Sequence, residues 1–169
     1  METNLHIKFF SPARLTAALL FCAATALAGA GSSAQSIDDI TLDVYKLESC
    51  GCCVGWIEHM DQRGFASKII HPRDMNGVKA NLGVLPKWQS CHTAVTKEGF
   101  VFEGHIPAKY ISRFLASPPP NALGLAVPGM PLGAPGMEMG DRFIAYDIIL
   151  MNKNGSSEVY ARVKSKADQ

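Results

Sequence analysis

The chain has 169 residues, and its 16 basic and 15 acidic side chains give a formal net charge of +1. A chain this close to neutral, with no basic stripe, is not expected to bind nucleic acid or another polyanion. Its five cysteines and seven methionines point instead to chemistry that uses sulfur.

The N-terminal residues have the pattern of a secretory signal peptide. Lys8 and Arg14 precede an uncharged run at 15–27, and small residues follow it. We predict a cleaved signal that spans 1–30, or extends as far as residue 34. The run is short for a membrane anchor, since a spanning helix needs ~20 apolar residues. We therefore expect an exported, periplasmic protein that keeps no membrane span after cleavage.

Cleavage would leave about 135 residues, which is enough for one compact domain with a core. We place this domain at 40–163. Loss of the signal removes Cys22 and leaves four thiols, at Cys50, Cys52, Cys53 and Cys91. In an oxidising compartment such thiols tend to pair or to hold a metal.

The first half of this domain alternates strands and helices. Apolar and polar residues alternate at 40–46 and predict a strand. The helix that follows is expected to end at Gly64, and a second strand occupies 67–70. Asp74 is a suitable N-cap for a short second helix. A third strand is predicted at 92–96.

The next elements complete the predicted fold. Residues 100–102 are expected to pair with the third strand across a turn at 97–99. Pro107 opens a third helix, which the prolines at 118–120 end. The order β-α-β-α-β-β-α predicts an α/β protein with a thioredoxin-like fold. In that fold the first cysteines lie at a helix N-terminus, where the dipole and free N–H groups stabilise thiolates.

The C-terminal part is predicted to be a loop followed by a hairpin. Residues 121–140 are rich in Gly, Pro, Ala and Met and show neither a helical nor a strand period. Residues 143–151 and 158–163 flank a turn and predict a C-terminal β-hairpin. The last residues, 164–169, are expected to fray.

Three sulfurs lie within four residues at Cys50, Cys52 and Cys53. Cys50 and Cys53 have the spacing of a redox dithiol, in which one thiolate attacks and the other resolves. Cys52 can instead hold a metal together with Cys50. Structural disulfides are the alternative, because four cysteines allow three pairings. A bridge that closes a loop as small as 50–53, however, adds little entropic stabilisation.

Cys91 and His92 begin the predicted third strand. In a thioredoxin-like fold this position lies against the first cysteines, so we predict that both residues are metal ligands. The alternative is a buried cysteine beside a surface histidine. His105 is a further candidate ligand, although a lone histidine is more often structural. His59 and His71 are expected at the surface.

Met130, Met137 and Met139 lie in the predicted loop, among glycines and prolines. Methionine usually fills irregular gaps in a core, but a loop without bulky neighbours offers few such gaps. Thioethers and thiolates are soft ligands that suit Cu(I) better than hard cations. Zinc gains little from methionine. The sequence therefore favours copper as Cu(I), with one ion or several.

Four motifs resemble those of the small periplasmic metal-binding proteins of the CopG type, a family associated with bacterial copper resistance and long carried as a domain of unknown function. The motifs are CGCC at 50–53, SCHTA at 90–94, EGHIP at 103–107, and GLAVPGMP at 124–131 with GMEM at 136–139. The resemblance implies a thioredoxin-like fold and a redox role in copper resistance. By position, it implies copper ligands at the four cysteines and in the Met-rich loop, with the two histidines as further candidates.

Our leading prediction is a periplasmic copper-binding protein of a copper-resistance system, whose site can couple copper to thiol redox. Copper efflux or oxidase components of the periplasm are the expected partners. The alternative is a metal-independent thiol-disulfide oxidoreductase, with Cys50 as nucleophile and Cys53 as resolving thiol. A third reading is a disulfide-stapled adhesion or carrier module. Any enzymatic activity would at most couple copper and thiols.

Overall fold

The structure is a computed structural model that describes residues 40–169. The predicted signal peptide lies outside the described residues. Across residues 40–169, no helix has the length and apolar character that a membrane crossing requires.

The described chain is a mixed α/β structure built on a single sheet. Its seven strands are β1 Thr41–Lys46, β2 Ala66–Ile70, β3 His92–Val95, β4 Val101–Glu103, β5 Ala122–Ala126, β6 Tyr146–Asn152 and β7 Ser157–Val163. Its three α-helices are α1 Gly51–Asp61, α2 Met75–Asn81 and α3 Ala108–Ala116. Short 3₁₀ turns occupy Pro86–Trp88 and Lys166–Asp168.

The strands lie side by side in the order β2-β1-β3-β4-β5-β6-β7. β1 runs parallel to β2 and β4 runs parallel to β5, while the other neighbours are antiparallel. The sheet is therefore mixed, and it has one strand more than the six predicted. The thioredoxin-like assignment stays a prediction.

Hydrophobic spacing accounts for the elements that carry the cysteines. Leu42 and Val44 alternate along β1 and are fully buried. In α1 the buried side chains recur at helical spacing and include Trp56 and Met60. The Trp56 indole N–H donates to the carbonyl of Ile106 at 2.8 Å, which ties α1 to the segment before α3. This contact fixes the orientation of the helix whose first turn holds the cysteines.

β5 is the strand that the sequence prediction missed. Residues 121–140 were expected to be a loop, but Ala122–Ala126 pairs with both β4 and β6. Four of its five residues are buried, so the strand has no polar alternation to signal it. Gly124 also hid the strand, because the backbone of Val101 approaches it too closely for a Cβ atom. The true loop begins after β5.

The C-terminal hairpin forms as predicted, from β6 and β7. The tail that follows it does not fray, contrary to expectation. Gln169 Nε2 donates to the Gly133 carbonyl at 2.7 Å, and Lys166 Nζ donates to the Gly140 carbonyl at 2.7 Å. These contacts are side chain to backbone and leave no hydrophobic pattern in the sequence, which is why the prediction was wrong.

Candidate metal centre

The first cysteines lie where the sequence predicts, at the start of α1. Cys50 is the N-cap residue, and Cys52 and Cys53 occupy the first turn. Cys50 and Cys53 are joined by a disulfide, whereas Cys52 is a free thiol. Of the three predicted ways to pair the four cysteines, the structure contains the bridge that has redox spacing.

Cys91, just before β3, brings the second segment to the first. Its Sγ atom lies 3.5 Å from Cys53 Sγ and 3.9 Å from Cys52 Sγ, across 38 and 39 residues of chain. Cys50 and Cys52 are 3.6 Å apart, sulfur to sulfur. The four sulfurs thus lie within 4.8 Å of one another. β3 pairs with β1, the strand that leads into α1, and this pairing produces the juxtaposition.

Both candidate histidines contact the same sulfur. His105 Nε2 lies 3.0 Å from Cys91 Sγ, and His92 Nδ1 lies 3.4 Å from it. The other ring nitrogen of His105 lies 2.8 Å from the Pro135 carbonyl oxygen. Because a carbonyl only accepts, His105 Nδ1 carries the proton and Nε2 presents a lone pair to Cys91. Of the two histidines, the weaker candidate in the sequence lies nearer the sulfur.

His92 is fully buried, so the alternative of a surface histidine is wrong. Its ring packs on Trp56, with centroids 4.4 Å apart, and meets His105 edge-on. Its Nε2 atom has no hydrogen-bond partner among the described residues. Burial lowers the pKa of His92 well below its usual value, and the nearby His105 and Lys79 lower it further. The ring is therefore neutral, as a metal ligand must be.

The electrostatics of the cluster favour uncharged donors in the absence of metal. Burial raises the pKa of Cys91 to about 12, and the neighbouring Cys52 adds to the shift. Burial also lowers the pKa of His105, against a smaller opposite effect of the hydrogen bond to Pro135. A thiolate at Cys91 is unstable by itself here. A bound cation would supply the missing stabilisation and release the proton.

The Met-rich loop reaches the cluster through its backbone. Gly129 N donates to the Gln89 carbonyl at 3.0 Å, just before Cys91. Gly136, at φ +82°, lies directly against α1, where an added Cβ would be 2.5 Å from the backbone nitrogen of Trp56. The chain positions of Met130 and Met137 therefore lie next to the two cysteine segments. The sequence pattern did not identify this role of the two glycines.

The three methionine side chains differ in exposure. Met130 and Met139 are 55% and 52% exposed, and Met137 is half-buried. Met139 Sδ accepts from Arg142 Nη2 at 3.6 Å. Met130 and Met139 are therefore more exposed than any of the four cysteines and do not fill gaps in the core, whereas Met137 is half-buried, as Cys52 and Cys91 are. Their part in metal binding stays a prediction.

The remaining histidines divide between the surface and a helix cap. His71 is exposed, as expected. His59 is half-buried, contrary to expectation, and its Nε2 accepts from the Ala108 N–H at 3.1 Å. It thereby satisfies a backbone N–H at the start of α3. Burial and the nearby Arg63 lower the pKa of His59 to about 4.

Comparison with known proteins identifies the family. A family described as "Protein of unknown function, DUF411" matches residues 88–137, which include Cys91 and the two candidate histidines. No curated protein is significantly similar to the chain. Two solved structures are similar, and both are described as "Copper resistance protein copG", in Form 1 and Form 2.

Each of these structures is 40% identical to this chain. The matches cover 75% and 73% of this chain and 98% of each of the two structures, with TM-scores of 0.70 and 0.69. An identity this high over almost the whole length of the relatives is specific for a family. The chain belongs to the CopG family, as the four motifs predicted.

Proposed function

We propose that this protein is a periplasmic copper-binding protein of a copper-resistance system and holds Cu(I) in its cysteine cluster. One observation carries the proposal, namely the position of Cys91 Sγ between the thiols of α1 and the bare Nε2 of His105. Thiolates and imidazole are soft or borderline donors that suit Cu(I). The similar structures are described as copper resistance proteins, which favours copper over zinc.

The donor set follows from the geometry. Four cysteine sulfurs form one group, and Cys91 with the two histidines forms a second group around the same sulfur. Four thiolates in so small a space would repel one another, and monovalent copper ions neutralise them. In this proposal the ligands are Cys50, Cys52, Cys53, Cys91, His92 and His105, and the loop adds Met130, Met137 and Met139. The domain around them is thioredoxin-like.

The disulfide gives the site a second, oxidised state. With Cys50 and Cys53 bridged, only Cys52 and Cys91 keep free thiols among the described cysteines. Two Cu(II) ions can oxidise the Cys50–Cys53 dithiol, giving two Cu(I) ions, the disulfide and two protons. Reduction of the disulfide restores all four sulfurs as ligands. Copper capture is thus coupled to the redox state of this pair.

A Cu(I) competition titration tests the proposal. Fully reduced protein should withdraw Cu(I) from a strong chelator, and protein with the disulfide intact should bind fewer ions more weakly. Cys91→Ser should weaken binding to the reduced protein by at least about tenfold, since it removes the sulfur common to both groups. An affinity of the reduced protein no better than that of a simple dithiol would refute the proposal.

A thiol-disulfide oxidoreductase is the second candidate function. It is favoured by the position of the Cys50–Cys53 disulfide at the N-terminus of α1, where a thiolate is stabilised. Metal-free protein would then oxidise substrate thiols while its own Cys50–Cys53 disulfide is reduced, or reduce substrate disulfides while its own Cys50–Cys53 dithiol is oxidised. Activity that is abolished in Cys50→Ser, and unchanged when Met137 and Met139 are replaced by Leu, would establish this function in place of copper binding.

A further inference from the structure

A buried ion pair lies behind the cysteine cluster. Lys79 Nζ of α2 lies 2.5 Å from Glu103 Oε1 at the end of β4, and both side chains are almost completely buried. Thr93 completes the group, because its Oγ1 accepts from Lys79 at 2.9 Å and donates to Glu103 Oε2 at 2.6 Å. The Lys79 ammonium and both carboxylate oxygens of Glu103 thus have hydrogen-bond partners within the protein.

A group of this kind is poorly explained by stability. Burying a carboxylate and an ammonium carries a large desolvation cost for each ion, so an apolar pair of similar volume often stabilises a fold equally well. Burial raises the pKa of Glu103, while Lys79, Thr93 and Ser90 act in the opposite direction. A contribution to the stability of the fold therefore does not explain why this ion pair is buried here.

The carboxylate holds the residue before Cys91. Glu103 Oε1 accepts from the backbone N–H of Ser90 at 2.6 Å. The neighbouring Gly104, at φ +78°, lies against Ser90, where an added Cβ would be 2.5 Å from Ser90 Cβ. Ser90 Oγ donates to the Gly129 carbonyl at the start of the Met-rich loop. Ser90 is therefore held by Glu103 of β4 through its backbone N–H, and it holds the Met-rich loop through its hydroxyl group.

We propose that Glu103 is a positioning residue of the metal centre. Through the Ser90 N–H, it fixes the peptide that places Cys91 Sγ between the thiols of α1 and His105. Lys79 and Thr93 orient the carboxylate, and Ser90 Oγ extends the same arrangement to the Gly129–Met130 segment. This inference rests on the proposed copper function, although its effect on the position of Cys91 is present without metal.

Two double variants separate positioning from stability. Lys79→Met with Glu103→Gln removes both charges but keeps a side-chain carbonyl that can accept from Ser90 N–H. Lys79→Met with Glu103→Leu removes both charges and the acceptor at similar volume. Tyr110→Phe, which removes the hydrogen bond from the hydroxyl of the mostly buried Tyr110 to the Asp168 carbonyl and touches no member of this group, is the control for loss of a hydrogen bond elsewhere in the domain.

The first readout uses metal-free protein with the disulfide intact. Alkylation by iodoacetamide is followed at Cys91 and Cys52 by peptide mapping. We expect Cys91 to react at least about fivefold faster in the Leu double variant than in the Gln double variant, since a segment that residue 103 no longer holds opens more often and exposes the sulfur to the reagent. The rate at Cys52 should stay the same, because a general loosening of the cluster would raise both rates.

The second readout is Cu(I) affinity of the reduced variants. The Leu double variant should bind about 10–100-fold more weakly than the Gln double variant, and Tyr110→Phe should match the wild type. Equal alkylation rates at Cys91 in the two double variants would overturn the inference. If the wild type binds no Cu(I) but the alkylation rates differ as expected, the copper proposal fails and the positioning role stands.

Should the Leu double variant not fold, amide exchange in the wild type decides. An N–H held by a buried carboxylate is protected, so Ser90 N–H should exchange far more slowly than that of exposed Lys87. Exchange of Ser90 as fast as that of an exposed amide would overturn the inference.

Discussion

A backbone contact sets the orientation and the tautomer of the His105 ring. The Pro135 carbonyl accepts a hydrogen bond from His105 Nδ1–H, so the lone pair of Nε2 faces Cys91 Sγ at 3.0 Å. Because burial lowers the pKa of His105, the ring remains neutral to a lower pH than an exposed imidazole does. Proton competition for this nitrogen is therefore weak at neutral pH.

Replacing His105 by Ala should weaken Cu(I) binding by about 10–100-fold, because the site loses a neutral donor beside Cys91. The matched control is His71→Ala, since His71 is exposed and the one hydrogen bond of its ring among the described residues is with the Lys46 carbonyl. Competition titration of both reduced variants measures the difference. If the two variants have equal affinity, His105 is not a ligand.

At the residue scale, the sequence indicated the cysteines as candidate functional residues because three thiols lie within four residues. Cys91 and His92 could be assigned only through a predicted fold, which placed the start of β3 against α1. The partnership of Lys79 with Glu103 could not be predicted from the sequence, because it joins residues 24 positions apart across α2 and β4. A lysine in a short helix looks like a solvated one until the packing is known.

Among the elements, α1 and the Met-rich loop meet backbone to backbone. Gly55 and Gly136 lie so close that a Cβ on Gly55 would be 2.9 Å from Gly136 Cα. Two glycines are needed because the helix and the loop approach more closely than side chains permit. This contact keeps the loop on the turn of α1 that carries Cys52 and Cys53.

Gly136→Ala should lower the free energy of unfolding by roughly 1–3 kcal/mol, since its methyl group would collide with the backbone of α1. Gly140→Ala is the control, because Gly140 also has positive φ, at +61°, but has no heavy atom within 4 Å of an added Cβ. Gly140→Ala should therefore lose only the stability that the strained backbone conformation costs an alanine. Thermal and denaturant unfolding compare the two, and equal losses would show that the loop does not press on α1.

The elements with regular periodicity were predictable, and β5 was not. β1 alternates between faces and α1 repeats at helical spacing, so both could be assigned from the sequence. The Asp74 cap of α2 also forms, with Gly77 N donating to its carboxylate at 3.0 Å. β5 is covered on both faces and interrupted by Gly124, so it carries neither signal.

For the molecule as a whole, buried imidazoles set the response to acid. His59, His92 and His105 all have lowered pKa values, with burial as the main cause. An unfolded chain takes up protons on these rings near pH 6.5, whereas the folded chain resists doing so. Their stabilising contribution is complete above that pH and is lost as the pH falls through the range down to the folded pKa values.

The midpoint temperature of thermal unfolding should therefore decrease as the pH is lowered from about 7 to about 5. Most carboxylates are still ionised in this pH range. For fully buried His92 alone the slope approaches ~1.4 kcal/mol per pH unit, and half-exposed His59 contributes less. His59→Gln, which keeps an acceptor for the Ala108 N–H, should reduce the slope. An unfolding temperature that is constant across this window would contradict the assignment.

The sulfur of Cys91 belongs to two candidate donor groups at once, and under the proposed function that sharing would couple the filling of one group to the filling of the other. The first ion to arrive would have to displace the proton of a thiol whose pKa is about 12, whereas a second ion would meet a sulfur that has already lost it. Later ions therefore bind at lower cost than the first. We expect a threshold in place of graded buffering: below a certain free copper level the protein stays empty, and above it the protein loads completely. Native mass spectrometry at limiting copper would then show empty and full chains side by side, with few chains between them.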